Sequence, residues 1–204
     1  SYSYSYSSAA ARRRLDGSAS GYVMDDTTIR TAVTVWLSDS TAATATYGHI
    51  STWDTGGVTN TSSLFASWNG GAAFNEDISS WDTSSVTTMR YTFYGTETFN
   101  QNLGGWAVHS VKDMDYMFKY ASAFDQDLGW CVGVGVDLEW AFTNTVCAST
   151  SCGVVQKDNC ARVMDDTTIR TAVVEWLSDP TAAEATYGHI STWATGGVTD
   201  MFEL

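Results

Sequence analysis

A phenylalanine recurs every 25 residues in this chain, at Phe74, Phe99 and Phe124, and that period constrains the fold more than any other feature. Each phenylalanine opens the same succession. Ile78, Leu103 or Leu128 comes next, then Trp81, Trp106 or Trp130. Val86 and Val111 follow, then Met89, Met114 or Leu138, and finally Phe93, Phe118 or Phe142. Upstream, Ile50, Trp53, Val58 and Phe65 fit the same frame after a short insertion around Trp68. About four tandem units therefore lie in one stretch. A unit this short cannot bury an apolar face alone, whereas stacked units share one core.

Within a unit, Ile78-Ser-Ser-Trp81 and Leu103-Gly-Gly-Trp106 read as short extended segments closed by turn formers. Val111, Met114, Met117 and Phe118 then follow i, i+3, i+6, i+7, which predicts a short helix. The fold class expected is α/β: a leucine-rich-repeat-like solenoid of about four strand/helix coils. Its core positions are Trp53, Trp81, Trp106, Trp130, Met89, Met114, Phe93 and Phe118. A helical cap is predicted ahead of the coils. Asp25-Asp26-Thr27 supplies an N-cap, and Ile29, Ala32, Val33, Trp36 and Leu37 keep helical spacing. A second helix over Thr41 to Tyr47 ends at Gly48.

A longer repeat has a period of 140 residues. Val23 to Asn60 aligns with Val163 to Asp200 and differs only at Thr34/Val174, Val35/Glu175, Ser40/Pro180, Thr44/Glu184, Asp54/Ala194 and Asn60/Asp200. The organisation expected is a low-complexity linker at 1–22, a complete capped module at 23–160, and the start of a second module at 161–204. The opening Ser-Tyr-Ser-Tyr-Ser-Tyr has neither a start methionine nor a signal-peptide core, so the chain reads as a piece of something longer.

With 44% hydrophobic residues the chain is too apolar to be disordered throughout, and its net charge of −13 repels phosphate backbones. Nucleic acid is excluded as a partner, since Arg12-Arg13-Arg14 is the only dense basic patch. No apolar run is long enough to span a bilayer. Cys131, Cys147, Cys152 and Cys160 cluster in one window without a Cys-x-x-Cys pair or a histidine, which points to two disulfides rather than zinc. They form a disulfide-rich C-terminal cover and imply an extracellular or cell-surface location. Three pairings are open. Cys152 lies 24 residues after Leu128, a register that places it near Cys131 and favours Cys131–Cys152 with Cys147–Cys160.

The run Phe74-Asn-Glu-Asp-Ile-Ser-Ser-Trp-Asp-Thr-Ser-Ser-Val-Thr-Thr-Met89, and its counterpart from Phe99 through Met117-Phe118, resemble the BspA-type leucine-rich-repeat surface proteins. Asp25 to Trp53 and Cys147-Ala-Ser-Thr-Ser-Cys152 are similar to the large repetitive surface proteins of marine microalgae. The resemblance implies extracellular display, adhesion or assembly, and no catalytic residue set.

Candidate chemistry is sparse. His49 and His189 occupy one position in the two copies, and His109 has no partner at a triad spacing. Calcium is the one cofactor considered. Asp25 and Asp26 are its candidate ligands, and Asp77, Asp82, Asp113, Asp115, Asp125, Asp127 and Asp137 could line up on stacked coils. Asn60-Thr61-Ser62 is the sole glycosylation sequon. The tryptophan row would stack on sugar rings if exposed and be core if buried. Three functions compete: a structural repeat of a filament, surface coat or appendage; an adhesive, glycan-binding repeat; and a metal-dependent hydrolase. The first is favoured, with copies of itself or neighbouring modules as partners, glycans as a further partner, and no enzymatic activity. Val198, Met201, Phe202 and Leu204 are the expected assembly end, and Ser1 to Ser8 a strand that adds to a neighbour.

Overall fold

The computed structural model describes residues 21–157, 160, 163–187, 190 and 193–197. Most of the expected linker, the Ser1 to Ser8 segment, His189 and the expected assembly end lie outside them.

The chain begins with strand β1 (Val23–Asp25), which runs directly into α1 (Asp26–Ser38). Asp25 is extended, and its carboxylate accepts from the N–H groups of Thr27 at 3.0 Å and Thr28 at 2.7 Å, so it satisfies donors the helix leaves open. Ile29, Ala32, Val33 and Trp36 form the buried face. Asp39 ends α1 and caps α2 (Ser40–Tyr47), accepting from Thr41 and Ala42. Gly48 closes α2 at φ 77°, a conformation costly for residues with a Cβ. Strand β2 (Asp54–Gly57) returns beside β1 in parallel, with Val23 opposite Asp54.

The expected leucine-rich-repeat-like solenoid of strand/helix coils does not form. The molecule is mixed α/β, with short helices and, among the described residues, three two-stranded parallel sheets. Besides β1–β2, these are β3 (Cys131–Val132) with β4 (Val155–Gln156), and β5 (Val163–Asp165) with β6 (Ala194–Gly197). Between residues 58 and 130 there is neither an α-helix nor a named strand; isolated parallel bridges join Asn60 to Thr88, Thr88 to Asp113, and Asp113 to Asp137. The helix predicted over Val111–Phe118 is broken by Tyr116, whose φ is 58°. Tyr91 and Trp140 break their own units in the same way, at 56° and 57°. In place of helix the backbone makes successive three-residue turns, with Met117 N–H on Met114 O, Ala121 N–H on Phe118 O, and Phe124 N–H on Ala121 O. The predicted extended segments are turns too, closed by Trp81 N–H on Ile78 O and Trp106 N–H on Leu103 O.

The 25-residue period survives in what joins one unit to the next. N–H groups of residues 61, 63, 65 and 67 donate to carbonyls of 88, 90, 92 and 94. Those of 89, 91, 93 and 95 donate to 113, 115, 117 and 119, and those of 114, 116, 118 and 120 to 137, 139, 141 and 143. All twelve bonds measure 2.7–3.1 Å. Inside, Phe65, Phe93, Phe118 and Phe142 stack at 5.4, 5.1 and 5.9 Å, interleaved with Phe74, Phe99 and Phe124. Trp53, Trp81 and Trp106 stack beside them, and Trp130 is buried farther along. Each indole N–H reaches back to a main-chain carbonyl: Trp81 to Ile50, Trp106 to Ile78 and Trp130 to Leu103. Trp53 uses Gly48 in the same manner. The eight core positions named from the period are all buried. One core runs from Met24 to Val154. A separate small core holds Ile169, Ala172, Ala183 and Tyr187 of α3 (Asp166–Ser178) and α4 (Pro180–Tyr187).

Candidate interaction surface

All four cysteines are in disulfides, but the pairs are Cys131–Cys160 and Cys147–Cys152. The pairing read from the register is therefore corrected. Leu128 N–H donates to Cys152 O at 2.8 Å, so Cys152 does lie one unit above Leu128. Ser151 and Cys152 are left-handed, at φ 51° and 50°, and this tight turn brings Cys152 back onto Cys147. Cys131 on β3 then pairs with Cys160, just beyond β4.

The acidic candidates carry structural bonds. Asp25 caps α1, and Asp26 ties that helix to the first unit: it accepts from Thr59 N–H at 2.7 Å, Thr59 Oγ1 at 2.6 Å and Asn60 N–H at 3.0 Å. Burial pushes the Asp26 carboxyl up, but these bonds and the Arg30 charge outweigh it and hold the group below the usual carboxylate range. Arg30 completes the clamp, donating to the carbonyls of Asn60 and Ser62. Asp77, Asp82, Asp113, Asp127 and Asp137 each accept from the N–H two residues on, the bond that shapes an Asx turn. Among the described residues no group of three or more His, Cys, Asp or Glu side chains is placed to hold a metal ion. Asn60, the sequon residue, accepts through Oδ1 from Ser62 N–H and from Arg30.

His49 Nδ1 lies 2.8 Å from Ser51 Oγ, and its ring meets Trp36 edge-on. Both residues line an open groove of about 470 Å³ that also takes in Thr41, Thr44 and Glu76. His109 is half-buried.

A surface the period did not reveal lies outside the tryptophan row. Trp68, Tyr120 and Trp140 are 55%, 44% and 50% exposed, and half-buried Tyr91, Tyr94 and Tyr116 join them. Tyr91 and Tyr116 stack at 4.9 Å, Trp68 packs on Tyr94 at 4.9 Å, and Tyr94 meets Tyr120 at 5.4 Å. Lys119 Nζ sits over three rings, 4.7 Å from Tyr116, 5.3 Å from Tyr120 and 5.0 Å from Trp140. Arg90 lies over Tyr91 and pairs with Asp115 at 2.9 Å. Asp115 is buried, and its Oδ1 has no hydrogen-bond partner. Burial raises its carboxyl above the ordinary value; Arg90 opposes this, while Asp137, Asp113 and Glu139 add to it. The left-handed turn at Tyr91, Tyr116 and Trp140 is what projects these rings from the core, and φ is not visible in hydrophobic spacing.

No helix among the described residues is long and apolar enough to cross a membrane. Neither the curated proteins nor the solved structures contain a match to the chain. Residues 37–151, which include α2 and the bridged units, match the family described as Mycoplasma protein of unknown function, DUF285. That match spans more than half of the chain, and the protein belongs to the DUF285 family.

Proposed function

We propose that the chain is a non-catalytic, extracellular structural module whose tandem copies build a filament, surface coat or appendage. The observation that carries this reading is the clamp of Asp26 and Arg30, through which α1 closes the N-terminal end of the core from within the same chain. The cap sequence returns almost unchanged 140 residues later, as expected of self-contained modules strung along one polypeptide. The family is related to BspA-like surface repeat proteins, which supports display at the cell surface. Two disulfides suit an oxidising exterior. Electron microscopy of native material, combined with labelling of intact cells by a membrane-impermeant reagent, tests the proposal. Labelled linear arrays are expected; an unlabelled protein with four free thiols would overturn it.

The exposed rings of Trp68, Tyr120 and Trp140 favour a second reading, adhesion to glycans, because aromatic side chains join an apolar face to a polar edge. Glycan-array binding that Trp68→Ala weakens would support it, and binding to no saccharide would reject it.

A further inference from the structure

The alternating rows of main-chain bonds between units have a direction, and among the described residues the rows leave one end open. Single bonds run the other way: Thr87 N–H on Thr59 O, Lys112 N–H on Thr87 O and Asp137 N–H on Lys112 O. Each unit gives alternate N–H groups to carbonyls of the unit that follows. Among the described residues the unit around 137–144 has no follower. Its equivalent donors are Leu138, Trp140, Phe142 and Asn144, and these four N–H groups find no acceptor among the described residues. The intervening Glu139, Ala141 and Thr143 N–H groups are all bonded within the unit. At the opposite end, Arg30 fills the equivalent carbonyls of Asn60 and Ser62. One end of the core is capped, and the other presents a row of donors that no described residue accepts from.

We propose that this C-terminal edge binds an extended segment of another polypeptide through main-chain hydrogen bonds, the segment carrying basic side chains. The donors alternate along the chain, as do the carbonyls of an extended strand, and the molecule itself satisfies three such rows with backbone carbonyls. Two such edges cannot pair with each other, because both offer donors. At the other end of a second copy three of the four equivalent carbonyls are occupied from within that copy, those of Asn60 and Ser62 by Arg30 and that of Ala66 by the N–H groups of Asn69 and Gly71. The occupant is therefore a segment that is not already part of a capped core. Its charge follows from the edge, where the exposed Asp137 and Glu139 stand against a single cation, Lys119, held over the Trp140 ring. Trp140 and Val146, also exposed there, supply apolar contact.

The test uses the full 204-residue chain, isotopically labelled, with its disulfides intact. The probe is an end-blocked heptapeptide alternating lysine and valine, compared with its glutamate–valine counterpart. In the free protein the amides of Leu138, Trp140, Phe142 and Asn144 should exchange fast. Adding the lysine peptide should move these four resonances downfield saturably and slow their exchange several-fold, while Glu139, Ala141 and Thr143 stay in place. The glutamate peptide should bind several-fold more weakly. Slow exchange in the free monomer, or no movement with either peptide at millimolar concentration, overturns the proposal. Light scattering that showed protection arising only through dimerisation would assign the edge to a second copy and overturn it as well. Equal binding of both peptides would overturn the basic character of the partner.

Discussion

Two aspartates show how one residue type serves opposite ends of the stability balance. Asp26 is ionised and fully bonded, so Asp26→Ala should cost about 1–3 kcal/mol at neutral pH, read from urea unfolding. Its folded pKa lies below the unfolded value of about 3.9, so its stabilisation is complete above that pH and is lost as pH falls through the folded value. The gap between wild type and D26A should therefore close in acid. Asp115 has the reverse sign. Its pKa is raised, so its favourable contribution is complete below about pH 3.9 and disappears as pH rises through the folded value. At pH 7 Arg90 is what makes the buried charge tolerable. Arg90→Ala should destabilise the fold measurably at pH 7 and little in acid, and Asp115→Asn should restore most of the loss in the double variant. An R90A penalty unchanged at low pH would contradict this account.

The elements differ in how far the sequence reveals them. Both cap helices were readable, because Asp25, Asp39 and Gly48 mark their ends by residue type and Ile29, Ala32, Val33 and Trp36 mark the buried face. The helix expected at Val111–Phe118 was not readable, and the reason is geometric. Three-residue turns and α-helix both send residues three apart to one side, so Val111, Met114 and Met117 are buried on either backbone. The deciding event is a left-handed tyrosine, a conformation that tyrosine's identity does not signal. The exposed aromatic surface leaves no mark in the sequence pattern for the same cause. The tryptophan row was legible as a row, and its burial resolves a choice that periodicity leaves open. Packing predicts a contrast within this layer. Phe118 is fully buried between Phe93, Phe124 and Phe142, so Phe118→Ala should cost about 3–5 kcal/mol. Trp68→Ala, at an exposed ring, should change stability by under about 1 kcal/mol. Denaturant titration of both variants checks the pair.

For the whole molecule, the disulfides fix how much of the unfolded chain is restrained. Cys131–Cys160 spans 29 residues and Cys147–Cys152 only 5. On chain-entropy grounds the first contributes about 3–4 kcal/mol and the second about 2. Replacing Cys131 and Cys160 by serine should therefore lower the unfolding midpoint more than replacing Cys147 and Cys152, and a non-reduced digest should yield these two cross-links. The cysteine count made two bonds legible; their partners were not, because a five-residue turn outcompetes a register between units. The rows of hydrogen bonds join each unit only to its neighbours, so tension applied to the two ends of the core reaches the rows in series. Such a body pays out length one unit at a time, like a tape unpeeling, instead of failing at once. The longer disulfide sets aside part of that tape: about 100 Å of contour, at roughly 3.4 Å per residue, stays locked under oxidising conditions and is released by reduction. The compliance of a tether built from this chain is then set by the redox state around it.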